Sequence, residues 1–551
     1  MNRIIVIGLL TAAILAGCAG SGSGTDTSND PDNTPMNSAP TAANVFISDD
    51  NAGGTNVGDT LTGNYDYSDI DDDAEGTSTF SWIRSGTPIP RATAISYTLV
   101  EADNGEMISF EVTPIAVTGE LTGIPVRSSS LAVSDASASF PQPFDSSASY
   151  SIEIYVDSAA TFNGDGTQGS PFNNIPDAIS AARNEGAGSR VNIAAGTYPA
   201  VGYHSDLQGQ ADAPIALVAD GNVTIDAGGS GTGMDLADVR YLVVDGLTIQ
   251  NTGVHGLNIS DGGDYSTPSE FIVFRNMHFR DIGSGGNNDC LKMSGVDDFY
   301  IENSEFEGCD MGEAIDMVGC HDGVITRNHF HDVAQNAVQT KGGSSNIVIH
   351  GNRFVDIPFR AVNAGGHTGE PYFRPANSPY EAQNITIVAN LFIRTGQSAV
   401  VFSGCIGCTA TNNTLIEPSG SVFWAVEANT NKGPGRDGRF VNNIVVFDES
   451  DLSGYSFFNT DGQPLINTYF IDANLWFSQD NSGFSVVPNG YGFPTGSDGI
   501  VQQDPLLDGE YRIAAGSPAI AAGIDIPGGI TLDFDGIEYS EPPSIGAFAA
   551  P

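Results

Sequence analysis

A short phrase recurs at intervals of about 24 residues between Asp289 and Arg360. It reads Asp-Cys-Leu-Lys-Met-Ser-Gly from Asp289 and Glu-Ala-Ile-Asp-Met-Val-Gly from Glu313. It returns as Asn-Ala-Val-Gln-Thr-Lys-Gly from Asn336 and Arg-Ala-Val-Asn-Ala-Gly-Gly from Arg360. A second phrase follows each, joining Asn to Phe: Asn303/Phe306, Asn328/Phe330, Asn352/Phe354 and, beyond an insertion, Asn390/Phe392. One such repeat cannot bury its apolar face alone, so a fixed period of this length demands a solenoid in which each repeat is one coil.

Strand side chains alternate between faces, which sorts the phrase into two sets. Leu291/Met293, Ile315/Met317, Val338/Thr340 and Val362/Ala364 are small or apolar and are expected to point inward. Lys292, Asp316, Gln339 and Asn363 then form an outward column, and Lys341 shares its face. A second column, Asp289, Glu313, Asn336 and Arg360, stands just before each strand. Coils about 4.8 Å apart would gather three acids, two lysines and an arginine into one groove. Exposed ion pairs contribute little and often mean nothing more than a solvated face. The chain, however, contains lysine only at positions 292, 341 and 432, so two lysines here favour a functional groove. The insertion from Gly365 to Gln383 adds His367, Tyr372, Arg374 and Tyr380, and long loops on rigid scaffolds are where binding groups concentrate. With Gln339 and Asn363 these are the expected substrate-binding residues.

The recurrent apolar positions Ile225, Ile249, Phe279, Phe306, Phe330, Phe354, Phe392 and Leu415 extend the register in both directions. Asn303, Asn328, Asn352, Asn390 and Asn413 are expected to be structural, because stacked Asn at turns can bond the neighbouring coil. Asp298, Asp322, Asn346 and Asn384 recur in the same way. Pro171–Glu185 carries Ile175, Ala178, Ile179 and Ala182 on one helical face, ahead of the strand-like run from Val191 to Tyr198. This order resembles the capped entry to a right-handed parallel β-helix of the pectate-lyase-like superfamily. The closing Ser517-Pro-Ala-Ile-Ala-Ala-Gly and Ile545-Gly-Ala-Phe segments are similar to the ends of secreted β-helix proteins. The resemblance spans residues 150–551 and implies an all-β, single-stranded parallel β-helix.

Upstream, residues 42–135 alternate short strands with polar turns, with Trp82 in mid-strand. Their wording resembles Ig-like modules attached to secreted bacterial carbohydrate-active enzymes, which implies a small accessory β-sandwich. Asp69, Asp71, Asp72, Asp73 and Glu75 read as a solvated turn before they read as a Ca²⁺ site. Residues 19–41 and 136–149 are flexible linkers by composition. At the start, Arg3, an apolar run from Ile4 to Leu15, and Leu15-Ala16-Gly17-Cys18 form an export signal. The last four resemble a bacterial lipobox, which implies cleavage before Cys18, its lipidation, and a bacterial cell-envelope location.

The net charge of −47 excludes nucleic acid as a partner, since phosphates would be repelled. Five cysteines follow Cys18, so at least one is unpaired or intermolecular, and spacing does not fix the pairing. Cys405-Ile-Gly-Cys408 lacks a second pair and reads as buried or disulfide-bonded, not as zinc-binding.

Lys341 with Arg360 one coil later resembles the Lys/Arg arrangement of alginate lyase and chondroitinase B-type β-helix lyases. That resemblance implies a secreted, lipid-anchored, monomeric enzyme that cleaves a uronate-containing polysaccharide by β-elimination. It makes Lys341 the base and Arg360 the aid to the leaving oxygen, with Asp289, Glu313 and Asp316 holding Ca²⁺. A second type of β-helix lyase uses one lysine beside an acidic calcium pocket, and Lys292 is the candidate for that role. C5-epimerisation shares the proton abstraction. A β-helix glycoside hydrolase using Glu313 with Asp316 or Asp289 is the first alternative, and a non-catalytic carbohydrate-binding or adhesion protein the second.

Overall fold

The computed structural model describes residues 37–551 apart from 50–58, 85, 101–102, 104–106, 120, 129–130, 134–140, 284, 311, 428, 430, 453–456, 463, 488 and 525–528. The proposed export signal and Cys18 lie outside the described residues.

From residue 150 on, the chain is a right-handed parallel β-solenoid of about 11 turns. One face is a ten-stranded parallel sheet. Its strands are β1 (Gly202–Ser205), β2 (Met234–Ala237), β3 (Leu257–Ser260), β4 (Leu291–Ser294), β5 (Ile315–Val318), β6 (Val338–Lys341), β7 (Arg360–Gly365), β8 (Ser398–Ser403), β9 (Ser421–Val426) and β10 (Phe458–Asp461). The remaining strands of each coil pair in parallel with their counterparts above and below. The repeated phrase therefore supplies β4 to β7, and the expected inward residues Leu291, Met293, Ile315, Met317, Val338, Thr340, Val362 and Ala364 are all 0% exposed.

Two internal columns fix the coil spacing. Phe279, Phe306, Phe330, Phe354 and Phe392 stack face to face, with successive ring centroids 4.9, 4.9, 4.8 and 4.8 Å apart. Beside them runs a ladder of buried asparagines, Asn328, Asn352, Asn390, Asn413, Asn443 and Asn474. From Asn352 on, Oδ1 accepts from the backbone N–H and the Nδ2 of the asparagine one coil earlier, as Asn352 does from Asn328 at 3.0 Å in both bonds. The residue before each ladder position bends the chain with a positive φ, for example 56° at Arg327 and 55° at Ala389. Asn303 departs from the expected role. It occupies the bend (φ 49°), while Ser304 takes the ladder position and donates its backbone N–H to Asn328. The sequence shows the offset, because Asn303 precedes its phenylalanine by three residues and the others by two.

Helix α1 (Ile175–Glu185) closes the first coil. Asn174 caps it by accepting from Asp177 N–H at 2.9 Å, and Ile175, Ala178, Ile179 and Ala182 face the core as expected. The cap covers strand edges that would otherwise be open to pairing. Residues 141–149 lie against the solenoid wall, where Asp145 pairs with Arg275 at 2.6 Å and Phe144 meets Tyr241 and Phe271. Cys290–Cys309 and Cys405–Cys408 are disulfides and Cys320 is free and buried.

The N-terminal module has two small antiparallel sheets, one holding Thr41–Asp49, Thr60–Ser68 and Ser96–Thr98, the other centred on Thr79–Arg84 and Met107–Thr113. Leu61, Trp82 and Phe110 are its buried centre. The carboxylates near Asp69 serve the turn: Asp69 accepts from Asp71 N–H, and Glu75 from Tyr65 and Ser78.

Replacing Asn352 by Ala removes the acceptor for a buried backbone N–H and breaks the ladder in its middle. The expected loss is on the order of 3 kcal/mol, read as a lower denaturant midpoint. An unchanged midpoint would show that the ladder contributes nothing.

Candidate active site

The site lies on β4 to β6 and the corners that precede them. Pairing of Lys292 with Asp316, and of Asp316 with Gln339, sets the outward column. Gln339 pairs in turn with Asn363. The same register places Asp289, Glu313, Asn336 and Arg360 one above another. Extended one coil back, it reaches His255, two residues before Leu257, the partner of Leu291.

Asp289 and Asp316 are 0% exposed and Glu313 8%. One carboxylate oxygen from each lies within 4.8 Å of the other two. Lys292 Nζ contacts Asp316 directly and lies 3.5 Å from Asp289, and Lys341 Nζ is 2.9 Å from Asp316. Burial alone would raise Asp316, but the two ammonium groups outweigh it and hold this carboxyl below its usual range. Burial likewise opposes the charge on Lys292, yet Asp316 and Asp289 prevail and its pKa is raised. Lys292 is therefore fixed as an ammonium, which removes it as the candidate base in this arrangement.

Glu313 behaves in the opposite way. Burial, followed by the charges of Asp316 and Asp289, pushes it up to about 8. Its Oε1 accepts from Asn336 at 3.1 Å, while its Oε2 and Asp289 Oδ2 have no hydrogen-bond partner among the described residues. His255, unforeseen in the sequence, accepts the Asp289 backbone N–H at Nδ1, 3.0 Å away. Burial lowers its pKa, so it stands beside Asp289 as a neutral ring. Continuing the column one coil towards the N-terminus would have found it.

The loop after β7 forms a wall. Lys292, Lys341, His367, Thr368, Tyr372 and Arg374 line a cleft of about 400 Å³. Tyr372 is 60% exposed. Arg374, expected to bind substrate, is 8% exposed; it pairs with Asp261 and stacks on Tyr265 with 3.9 Å to the ring centroid. Its guanidinium anchors the loop. A second anchor, Glu381, escaped sequence reading: it is fully buried and accepts from Gly342 N–H, from Thr368 through both N–H and Oγ1, and from Asn429. Tyr380 does not line this cleft. Gln339 and Asn363 are buried, with Gln339 donating to Asp316 at 3.3 Å and Asn363 to Gln339 at 2.8 Å. They support the acids from within the column.

The expected partnership of Lys341 with Arg360 is not formed. Arg360 stands opposite Asn336, five positions before Lys341 (341 − 336), or about 16 Å along the strand at ~3.3 Å per residue. Its Nε donates to Gln397 at 2.8 Å, and its guanidinium lies over Phe359 and Trp424, 5.0 and 5.1 Å from their centroids. A lysine and an arginine can fall on adjacent coils yet at opposite ends of their strands.

The "Right handed beta helix region" family model matches residues 219–378 and 273–444. This chain carries a right-handed parallel β-helix. No curated protein matches its sequence. Similar solved structures include the pectate lyase Pel9A, 16% identical with a TM-score of 0.40 over 73% of this chain and 98% of that one. An alginate lyase from Paenibacillus sp. str. FPU-7 is 16% identical, with a TM-score of 0.29 over 47% and 93% of the two chains. PfbA, a surface adhesin of Streptococcus pneumoniae, is 14% identical, with a TM-score of 0.35 over 64% and 100%.

The Glu313 carboxyl stays protonated in the fold up to about 8 but ionises near 4.5 when exposed. The folded β-helix thus holds an extra proton across that window. Its stability is fully present below the lower value and declines as pH rises to the upper one. In chelator, Glu313→Gln is expected to flatten this slope and to raise Tm at mildly alkaline pH. Parallel Tm–pH curves for the two proteins would contradict the shift.

Proposed function

We propose that the protein is a cation-assisted lyase that cleaves an acidic, uronate-containing polysaccharide by β-elimination. The observation that carries this reading is the buried trio Asp289, Glu313 and Asp316, in contact with two lysines that line a cleft. Three carboxylates face two ammonium groups, and two of the carboxylate oxygens have no hydrogen-bond donor. A set of hard oxygen donors this close together fits Ca²⁺. When bound, the ion would neutralise the substrate carboxylate and so ease loss of the C5 proton.

The residues of the chain then divide the work. Lys341 lines the cleft and takes the C5 proton; the electron pair forms the C4–C5 double bond as the glycosidic oxygen leaves C4 and takes up a proton from water. Lys292 keeps its proton and holds Asp316 in place. Tyr372 and His367 receive the sugar ring at the cleft wall. Arg360, backed by Phe359 and Trp424, extends the surface for the polyanion beyond the reacting unit. The export signal and Cys18 would place the enzyme on the bacterial envelope, with the N-terminal module as an Ig-like accessory.

Hydrolysis is the second reading, favoured by one observation: Glu313, held protonated to about 8, has the character of a general acid. Against it, Asp289 and Asp316 are fully buried.

The deciding experiment incubates the protein with a panel of polyuronates and neutral glycans, with and without chelator. The lyase reading predicts ultraviolet absorbance from unsaturated ends, loss of it in chelator, and a drop of roughly 100-fold or more in Lys341→Ala. Arg360→Ala should raise KM and leave kcat close to wild type. New reducing ends without absorbance would establish hydrolysis instead, and binding without any product would overturn both enzymatic readings.

A further inference from the structure

Three of the chain's eight histidines gather on a different sheet from the cleft. His278, Glu305 and His329 are aligned on three successive coils, in the strands His278–Ile282, Glu305–Phe306 and His329–His331. Glu307 and His331 lie two residues further along the last two coils. The residues between them, Phe279, Phe306 and Phe330, point inward and form the stacked column. The polar groups therefore project outward from backbone whose spacing is set by ring stacking at 4.9 Å.

The contacts are those of a ligand set. His331 Nε2 is 3.0 Å from Glu305 Oε1 and 3.8 Å from Glu307 Oε2. His278 Nε2 is 3.0 Å from Glu307 Oε1 and 3.6 Å from Glu305 Oε2. His329 Nδ1 is 3.9 Å from Glu305 Oε1. Donors bound to one tetrahedral ion at about 2.0–2.1 Å lie roughly 3.4 Å from each other, and the observed separations bracket that value. Two trios satisfy the closeness needed to share an ion: Glu305 with His329 and His331, and Glu305 with Glu307 and His278. A cleft of about 400 Å³ opens beside them, lined by His278, Glu305, Arg327 and His329. Side-chain exposures of 19–45% across His278, Glu305, His329, Glu307 and His331 leave room for a water or ligand in the open coordination position.

We infer that this His/Glu cluster is a binding site for a zinc-class divalent ion, centred on Glu305 and separate from the oxygen-only trio of the cleft. The chemistry of the donors separates the two sites. Imidazole with carboxylate suits Zn²⁺ and its first-row neighbours, whereas carboxylates alone suit Ca²⁺. The ion would be held by three rigid coils, with Glu305 shared between the trios.

The test is titration of ZnCl₂ into the metal-stripped full-length protein, purified without a histidine tag, in an excess of Ca²⁺. The expected result is saturable, stoichiometric binding that Ca²⁺ does not displace. The His329→Ala/His331→Ala double variant and Glu305→Gln should each weaken it by more than the roughly 10–100-fold that loss of an outer-shell partner costs. Circular dichroism confirms that the variants are folded, and Co²⁺ substitution supplies a second readout through its ligand-field absorption. Absence of saturable Zn²⁺ binding by the wild type would overturn the inference and show the cluster to be ion-paired side chains only. Undiminished binding by the folded variants would overturn it equally. Neither result bears on the lyase reading, whose residues lie on the other sheet.

Discussion

The β-helix depends on parallel register: each coil places a residue directly over its counterpart in the coil before. Inside, register stacks aromatic rings and pairs the amide of each asparagine with the next, so the buried amides of the ladder satisfy one another. Outside, the same rule stacks whatever the sequence supplies. Where it supplies Asp289 and Glu313 on adjacent coils, with Asp316 between two lysines, the fold forces charges together that would separate in a flexible chain. The rigidity that builds the core also creates the electrostatic tension of the cleft.

That tension is resolved unequally. Asp316 holds both lysines and remains ionised, whereas Glu313, also buried but without a direct ion pair, keeps its proton to about 8. The net charge is −47, yet Lys292 and Lys341 line the cleft while Asp289 and Asp316 are fully buried.

Much of this was legible in the sequence, and for one reason. Periodic features carry their own evidence, so the phenylalanine column, the inward set of β4 to β7 and the face of α1 could be assigned from spacing alone. The acidic trio followed from the same spacing. What escaped reading is aperiodic or depends on position along a strand. Arg374 finds Asp261, 113 residues earlier, and Glu381 finds Asn429 through the fold of the insertion. Neither contact leaves a trace in the repeat. Arg360 and Lys341 fall on adjacent coils, but the offset within the strand, which the repeat does not reveal, keeps them apart. His255 was missed where the column ran one coil past the obvious repeats, and Asn303 was misplaced by a single residue.

The central claim is that the acids of the cleft form a pocket completed by a hard divalent cation. Calorimetric titration of Ca²⁺ into chelator-stripped protein near neutral pH, in two buffers of different ionisation enthalpy, tests it most directly. Because Glu313 is protonated before the ion binds and must ionise to ligate it, the account predicts buffer-dependent heats that report about one proton released per ion, and the loss of that dependence in Glu313→Gln. No heat of Ca²⁺ binding, or heats identical in both buffers, would contradict it.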